Sequence, residues 1–288
     1  MRLFYYVHTG HRIGLDRFRR AAAILNELAD LDITLLCSDY RIAGEARKYG
    51  IKRALGLDLI RNIPQIAHHG DKIIVDSAEL NPTLHEDMSQ FFSTFIRISD
   101  DPSDARLEKE FLISPYLEDE KTCKGIVVDP KYEEQLPKTI PMALFFGDDD
   151  YEKDLEKYQN LFAPLQMDLL MGFYHFLGYE NTLRDSFKTI YDSDDYDEVI
   201  RHTDRLVTAS AMAVLQNLAS GGRPIYVQRP DYTRDFIPLF EAMGIPIVDG
   251  FNKEQLMEII NNKLSNNYHN YQKSNKKISE FIRKALIL

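Results

Sequence analysis

At 288 residues the chain exceeds the usual size of a single domain, so two domains of ordinary size are expected. With 44% hydrophobic and 28% charged residues it has the composition of a soluble globular protein, which excludes a disordered chain. A formal net charge of −10 excludes a general nucleic-acid coat, because nonspecific binding to a polyanion rests on Lys and Arg neutralising phosphates; a small phosphorylated ligand needs only a local patch or aimed N–H groups.

Leu3 to Val7 is an apolar, aromatic run that reads as a strand, and His8-Thr9-Gly10-His11-Arg12-Ile13-Gly14 is the polar, Gly-punctuated loop after it. The run is too short for a signal peptide, and no segment approaches the roughly twenty apolar residues that span a bilayer. No transmembrane segment is expected, and the cytoplasm is the expected compartment. Cys37 and Cys123 offer neither a metal-ligand spacing nor a CxxC pair and read as thiols of a reducing compartment. From Asp16 onward Phe18, Ala21, Ala22, Leu25 and Leu28 recur at helical spacing, with Arg17, Arg19, Arg20 and Glu27 on other faces. Strand then helix recurs over 33–37 and 43–49. Lys72 to Asp76 is a buried-type strand ending in a carboxylate, Asn81-Pro82 reads as a helix cap and first turn, and Phe95 to Ile98 is a strand ended by Ser99-Asp100-Asp101-Pro102. Alternation of this kind means a parallel α/β sheet.

Residues 104–138 are less regular, and Pro130, Pro137 and Pro141 punctuate their end. They read as the crossover between a first domain at 1–138 and a second at 139–288. Pro141 to Phe146 then starts a second alternation: strand, Gly147-Asp148-Asp149-Asp150, a helix from Tyr151, a strand over 167–171, Ile190-Tyr191 and a helix over 196–202. Leu206-Val207 ends in Thr208-Ala209-Ser210, a helical face follows at Ala211, Val214, Leu215 and Leu218, and Gly221-Gly222 closes it before a strand from Pro224 to Val227. Two last helices are predicted over 253–264 and about 278–286, joined by an Asn- and Lys-rich connection, the final one packing back across the domain junction.

The chemistry concentrates at two places in the second half. Small side chains at Thr208 to Ser210 let a ligand approach the first free N–H groups of the following helix, and such a helix start attracts phosphate. The polar stretch Gln228-Arg229-Pro230-Asp231-Tyr232-Thr233-Arg234 follows the next strand, and in an open parallel sheet ligands sit at the carboxyl ends of strands. The same pattern also fits an ordinary βαβ packing unit, with Thr208 and Ser210 as caps, Arg229 and Arg234 solvated and Tyr232 packing its loop. Asp76, Asp100 and Asp101 stand at strand ends, as cleft carboxylates or as caps. Asp148-Asp149-Asp150 fit a divalent cation or a helix start, but adjacent carboxylates point in different directions, and no metal site is expected. His68-His69 and His85-Glu86-Asp87 lack matching ligands and read as surface.

The stretch from Arg205 to Val248 resembles the carboxyl-terminal half of two-domain GT-B glycosyltransferases. The whole chain looks most like the UDP-sugar hydrolases of pseudaminic acid biosynthesis and the lipid II-forming N-acetylglucosaminyltransferases. Ser210 and Gly222-Arg223-Pro224 stand at the matching places, with Ala211 at the turn glycine and Gln216 or Asn217 near the family's acidic position. Gly10-His11 preserves the Gly-His pair of a Gly-x-Gly-His-x-x-Arg loop whose Arg position is Gly14, with Arg12 and Arg17 close by. Val75-Asp76 matches a later strand end, with Ala78 at its Tyr position; Ile98-Ser99-Asp100-Asp101 and Phe146-Gly147-Asp148-Asp149 look like two further turns of these proteins.

The resemblance implies an α/β fold of two Rossmann-like parallel-sheet domains facing a cleft. The first would serve the acceptor or water; the second would bind a nucleotide sugar, with UDP the expected carrier. It implies His11 as general base, since an imidazole with a pKa near ~6.5 suits that work at neutral pH, and Asp76 as its catalytic companion. Gly10, Arg12, Gly14, Thr208, Ser210, Ala211, Gln228, Arg229, Asp231 and Tyr232 are the implied substrate-binding residues. The diphosphate would be held without metal or other cofactor. The implied activity is that of a bacterial surface-glycan enzyme, a hydrolase if water is the acceptor and a glycosyltransferase if a sugar or lipid is. The substitutions at Gly14, Ala78, Ala211 and Asn217 motivate an alternative: the same fold without catalysis, binding a nucleotide sugar or acting as a scaffold. No oligomeric state is read from the sequence.

Overall fold

The computed structural model describes residues 1–261, 268 and 274–287. Strands Leu3–Val7 (β1), Ile33–Cys37 (β2), Ala54–Gly56 (β3), Lys72–Asp76 (β4), Thr94–Ile98 (β5), Phe111–Ser114 (β6) and Thr122–Lys124 (β7) form one parallel sheet in the order β3-β2-β1-β4-β5-β6-β7. Every residue of β5 is buried and so are four of the five in β4, which is why these strands read as continuous apolar runs: a parallel sheet is covered on both faces. One face carries a core of Phe4, Tyr6, Leu36, Ile63, Ile73, Val75 and Phe95.

Helices Asp16–Glu27 (α1), Tyr40–Glu45 (α2) and Pro82–Phe91 (α3) connect these strands. Asn81 caps α3 as its sequence suggests, its side chain accepting from the Leu84 N–H at 3.0 Å. The helix expected from residue 43 begins earlier, at Tyr40, because the Asp39 carboxylate accepts from the Arg41 N–H and starts the turn there. Residues 104–138 are not a plain crossover. They contribute β6 and β7 to the first sheet, and the fully buried Glu110 anchors β6 by pairing with Arg97 of β5 and accepting from the Leu107 N–H.

Strands Ile140–Phe145 (β8), Asp168–Leu170 (β9), Ile190–Tyr191 (β10), Thr203–Thr208 (β11), Ile225–Gln228 (β12) and Ile247–Asp249 (β13) form a second parallel sheet in the order β10-β9-β8-β11-β12-β13. The helix expected from Tyr151 is absent. Two short 3-10 turns, Asp150–Glu152 and Asp154–Tyr158, take its place, separated by Lys153 in the left-handed region at φ 58°, and a single α-turn, Gln159–Phe162 (α4), follows. Helices Tyr179–Leu183 (α5), Tyr196–His202 (α6), Ala211–Ala219 (α7), Ile237–Ala242 (α8) and Lys253–Asn261 (α9) complete this half. The predicted continuation of α9 to residue 264 and most of the Asn- and Lys-rich connection lie outside the described residues. The last helix is Asn275–Ile287 (α10), packed on β5 and β7.

Contacts divide the chain into two compact units. One comprises Met1–Gly10, Arg17–Val127 and Gln272–Leu288; the other comprises His11–Asp16 and Val128–Tyr271. Residues 11–16, between β1 and the rest of α1, therefore belong to the second unit. In each sheet the strand order reverses once, between β1 and β4 and between β8 and β11, and the carboxyl ends of strands at such a switch point are where open α/β sheets hold ligands. Among the described residues no helix is long and apolar enough to cross a membrane.

Candidate functional site

At the switch point of the second sheet, β11 ends in Thr208, whose hydroxyl accepts from the Ser210 N–H at 3.0 Å and fixes the turn into α7. Ser210 has extended backbone (φ −83°, ψ 119°), and its Oγ accepts from the Ala213 N–H at 3.0 Å, so it is the N-cap. That hydroxyl in turn donates to Asp16 Oδ1 at 2.6 Å, and the Met212 N–H donates to Asp16 Oδ2 at 3.1 Å. The start of α7 thus already holds an anion, a carboxylate from 194 residues away, through one hydroxyl and one free helix N–H. Ala211, the first residue of α7, is buried beneath it.

The loop that brings Asp16 there needs glycine at residue 14, which lies at φ +80°, a region L side chains rarely adopt. On the same loop the His11 ring packs 4.8 Å from Tyr151 and edge-on to Tyr174 at 6.4 Å, and it remains partly exposed. Arg12 is exposed and pairs with the equally exposed Glu152 at 2.9 Å, a contact of little energetic weight. Gly10 is buried in the first unit.

The loop after β12 is tied to itself. Gln228 Nε2 donates to the carbonyls of Arg229, Tyr232 and Thr233 at 2.9, 3.1 and 3.2 Å. The buried Arg229 guanidinium donates to Asp149 at 3.0 Å and to both oxygens of Asp231, and lies over the rings of Phe146 and Tyr232. Burial disfavours its charge, but Tyr232, Asp231 and Asp149 outweigh burial and raise its pKa. Tyr232 donates its hydroxyl to Asp149 at 2.7 Å. Gln228, Arg229 and Asp231, expected as substrate-binding residues, make these contacts within the loop and to Asp149, and the Asp231 side chain stays 58% exposed.

The three consecutive carboxylates diverge as expected. Asp148 accepts from the Phe173 N–H, Asp149 from Arg229 and Tyr232, and Asp150 from the N–H groups of Asp154 and Leu155 and from the Tyr179 hydroxyl. The turn is closed by Gly172 after β9, where a Cβ would fall 2.1 Å from the Gly147 carbonyl oxygen. Burial lifts the Asp150 carboxyl to about 6, against the opposing hydrogen bonds from Tyr179, Leu155 and Asp154. The folded protein therefore keeps a proton there that the unfolded chain releases, so stability from this group is full below about pH 4 and is lost as pH rises through about 6. Asp150→Asn is expected to gain melting temperature relative to the parent on going from pH 4 to pH 7; a difference that stays constant across that range would contradict the buried, protonated carboxyl.

In the first unit Asp76 is fully buried and its two oxygens take Arg20 Nη2 and Nε at 2.7 and 2.8 Å, while Arg20 also grips both oxygens of Asp100 at 2.6 and 3.0 Å. Tyr5 Oη stands 3.4 Å and Arg17 Nε 3.6 Å from the same carboxylate. Asp76, expected as a catalytic group, is paired here with Arg20, and the pair ties α1 to β4. Sequence reading placed Arg20 away from the apolar face of the helix, and its two partners, 56 and 80 residues away, are visible only in the fold. It also passed over His8, whose imidazole lies 3.9 Å from Glu79 with its pKa lowered by burial and by Arg17; Glu79 in turn accepts from the Tyr6 hydroxyl.

No protein-family model and no curated protein matches this sequence. Solved structures match over its whole length. The UDP-GlcNAc 2-epimerase of Methanocaldococcus jannaschii, solved with UDP-GlcNAc and UDP, superposes with a TM-score of 0.62 at 12% identity, covering 99% of this chain and 100% of that one. S. aureus MnaA, solved with UDP, gives 0.64 at 12% identity over 100% and 98% of the two chains. The glycosyltransferase SnogD from Streptomyces nogalater gives 0.58 at 11% identity over 99% of each. Likeness at such low identity establishes architecture alone: the chain has the two-domain, parallel-sheet α/β fold of the GT-B type.

Proposed function

We propose that the protein is a nucleotide-sugar enzyme, a metal-independent GT-B glycosyltransferase or UDP-sugar hydrolase of bacterial surface-glycan synthesis. The observation that carries this reading is the pair of donors at the second sheet's switch point, the Ser210 hydroxyl and the Met212 N–H, whose geometry suits an anion, here the chain's own Asp16 carboxylate. It is supported by fold neighbours solved with UDP and UDP-GlcNAc.

In the proposed reaction a hydroxyl or water oxygen attacks the anomeric carbon, and the bond from that carbon to the diphosphate breaks with its electron pair leaving on the phosphate oxygen. The Ser210 hydroxyl and the first N–H groups of α7 stabilise the charge that grows there. His11 takes the proton of the attacking group. With water the products are the free sugar and the nucleoside diphosphate; with a hydroxyl acceptor a glycoside forms instead.

A second reading, a nucleotide-sugar-binding or scaffolding protein without turnover, is favoured by the Asp16 carboxylate on the proposed diphosphate seat and by the internal pairing of Arg229. Thermal-shift measurements with UDP-, CMP-, GDP- and dTDP-sugars, followed by an assay for nucleotide release from the best binder, separate the two. Stabilisation by a UDP-sugar with nucleotide release is expected. Binding without release supports the second reading, and no stabilisation by any nucleotide sugar counts against both.

A further inference from the structure

We infer that Asp16 is an internal competitor for the diphosphate seat, and that its carboxylate sets how tightly the second unit takes an anion. The inference rests on the proposed reading of that seat and goes beyond it by naming the residue that controls its occupancy.

The contact is built. Ser210 is 3% exposed, and it spends its hydroxyl proton on Asp16 Oδ1 while Met212 gives its backbone proton to Oδ2. One carboxylate thereby takes a side-chain donor and a main-chain donor with its two separate oxygens, as two oxygens of a phosphate would. The donors belong to a nine-residue helix, α7, whose N-terminal end favours negative charge whatever group supplies it.

Two anions cannot share these donors. Each hydroxyl and N–H has one proton to give, and a second negative charge within a few ångströms of the first is repelled. A diphosphate therefore docks only when Asp16 withdraws, and the observed affinity is the intrinsic affinity reduced by the fraction of molecules with the seat open. Asp16 is the first residue of α1, so opening the seat means turning its side chain away from the start of α7.

The test uses titration calorimetry of the full chain with two probes, inorganic pyrophosphate and UDP, on the parent, Asp16→Ala and Asp16→Asn, with melting temperature as the check on folding. Asp16→Ala is expected to bind pyrophosphate at least about tenfold more tightly than the parent, the gain that follows if the seat is open in a tenth of molecules. Asp16→Asn, which keeps an oxygen for Ser210 but no charge, is expected to fall between them and supplies the measurement if the alanine variant does not fold. Tighter pyrophosphate binding with no UDP binding by any form supports the competitor and overturns the nucleotide reading. UDP binding that is equal in the parent and the variants, or weaker in the variants, overturns the competitor and leaves the nucleotide reading standing. Binding of neither probe by any form overturns both.

Discussion

Replacing Arg20 by leucine is expected to destabilise the protein by about 3–5 kcal/mol, the usual cost of stranding buried charge. The Arg20 side chain is 11% exposed and stands between Asp76, 1% exposed, and Asp100, 12% exposed, with four hydrogen bonds of 2.6–3.0 Å. Burial works against its charge, yet Asp100 and Asp76 outweigh burial and raise its pKa, so the guanidinium stays ionised. Without it Asp76 keeps only Tyr5 at 3.4 Å and Arg17 at 3.6 Å, too long to replace a forked guanidinium. Arg20→Lys is expected to lose less, since an ammonium restores the charge but not the fork. Urea unfolding reads both: the midpoint falls while the slope stays unchanged if the native state alone is affected. A loss below about 1 kcal/mol for the leucine variant would mean the cluster is solvated and worth no more than a surface pair.

That cluster marks where sequence stops informing structure. Strands such as Lys72–Asp76 and Thr94–Ile98 announce themselves because both faces are covered and nearly every side chain must be apolar. Thr122–Lys124 gives no such signal: it is a three-residue strand at the sheet's edge, and its residues carry no periodicity to read. Around Tyr151 the composition suits a helix, but Lys153 adopts a left-handed backbone that no local pattern foretells. The same division holds at the candidate site. The turn Thr208 to Ser210 is legible because a cap, a small-residue turn and the helix it starts are local in sequence. Occupation of that turn by Asp16 is not, nor is the use of Arg229 by Asp149, because partners 194 and 80 residues apart meet only through the fold. Residue type and resemblance nominated Asp76 and Arg229 as functional groups, and the partners they meet through the fold, Arg20 and Asp149, carry no local signal.

If His11 is the base of the proposed reaction, His11→Ala is expected to lower turnover of the nucleotide sugar by about 10²–10⁴-fold, the usual contribution of a positioned general base. Its ring is partly exposed and rests against Tyr151 and Tyr174, so the substitution forfeits two aromatic contacts at a partly exposed site and the melting temperature should move little. Because the diphosphate would be held by Ser210 and α7, nucleotide affinity should stay close to the parent value while kcat falls. A fall in affinity comparable to the fall in turnover would instead make His11 a binding group of the loop. His8→Ala is the control that makes the result specific. His8 is held in the first unit beside Glu79, so if proton transfer runs through that imidazole, its removal and not that of His11 abolishes nucleotide release. Loss confined to His11→Ala, at unchanged affinity and unchanged melting temperature, is the combination that a base carried on the 11–16 loop requires and that neither a packing role nor the His8 alternative produces.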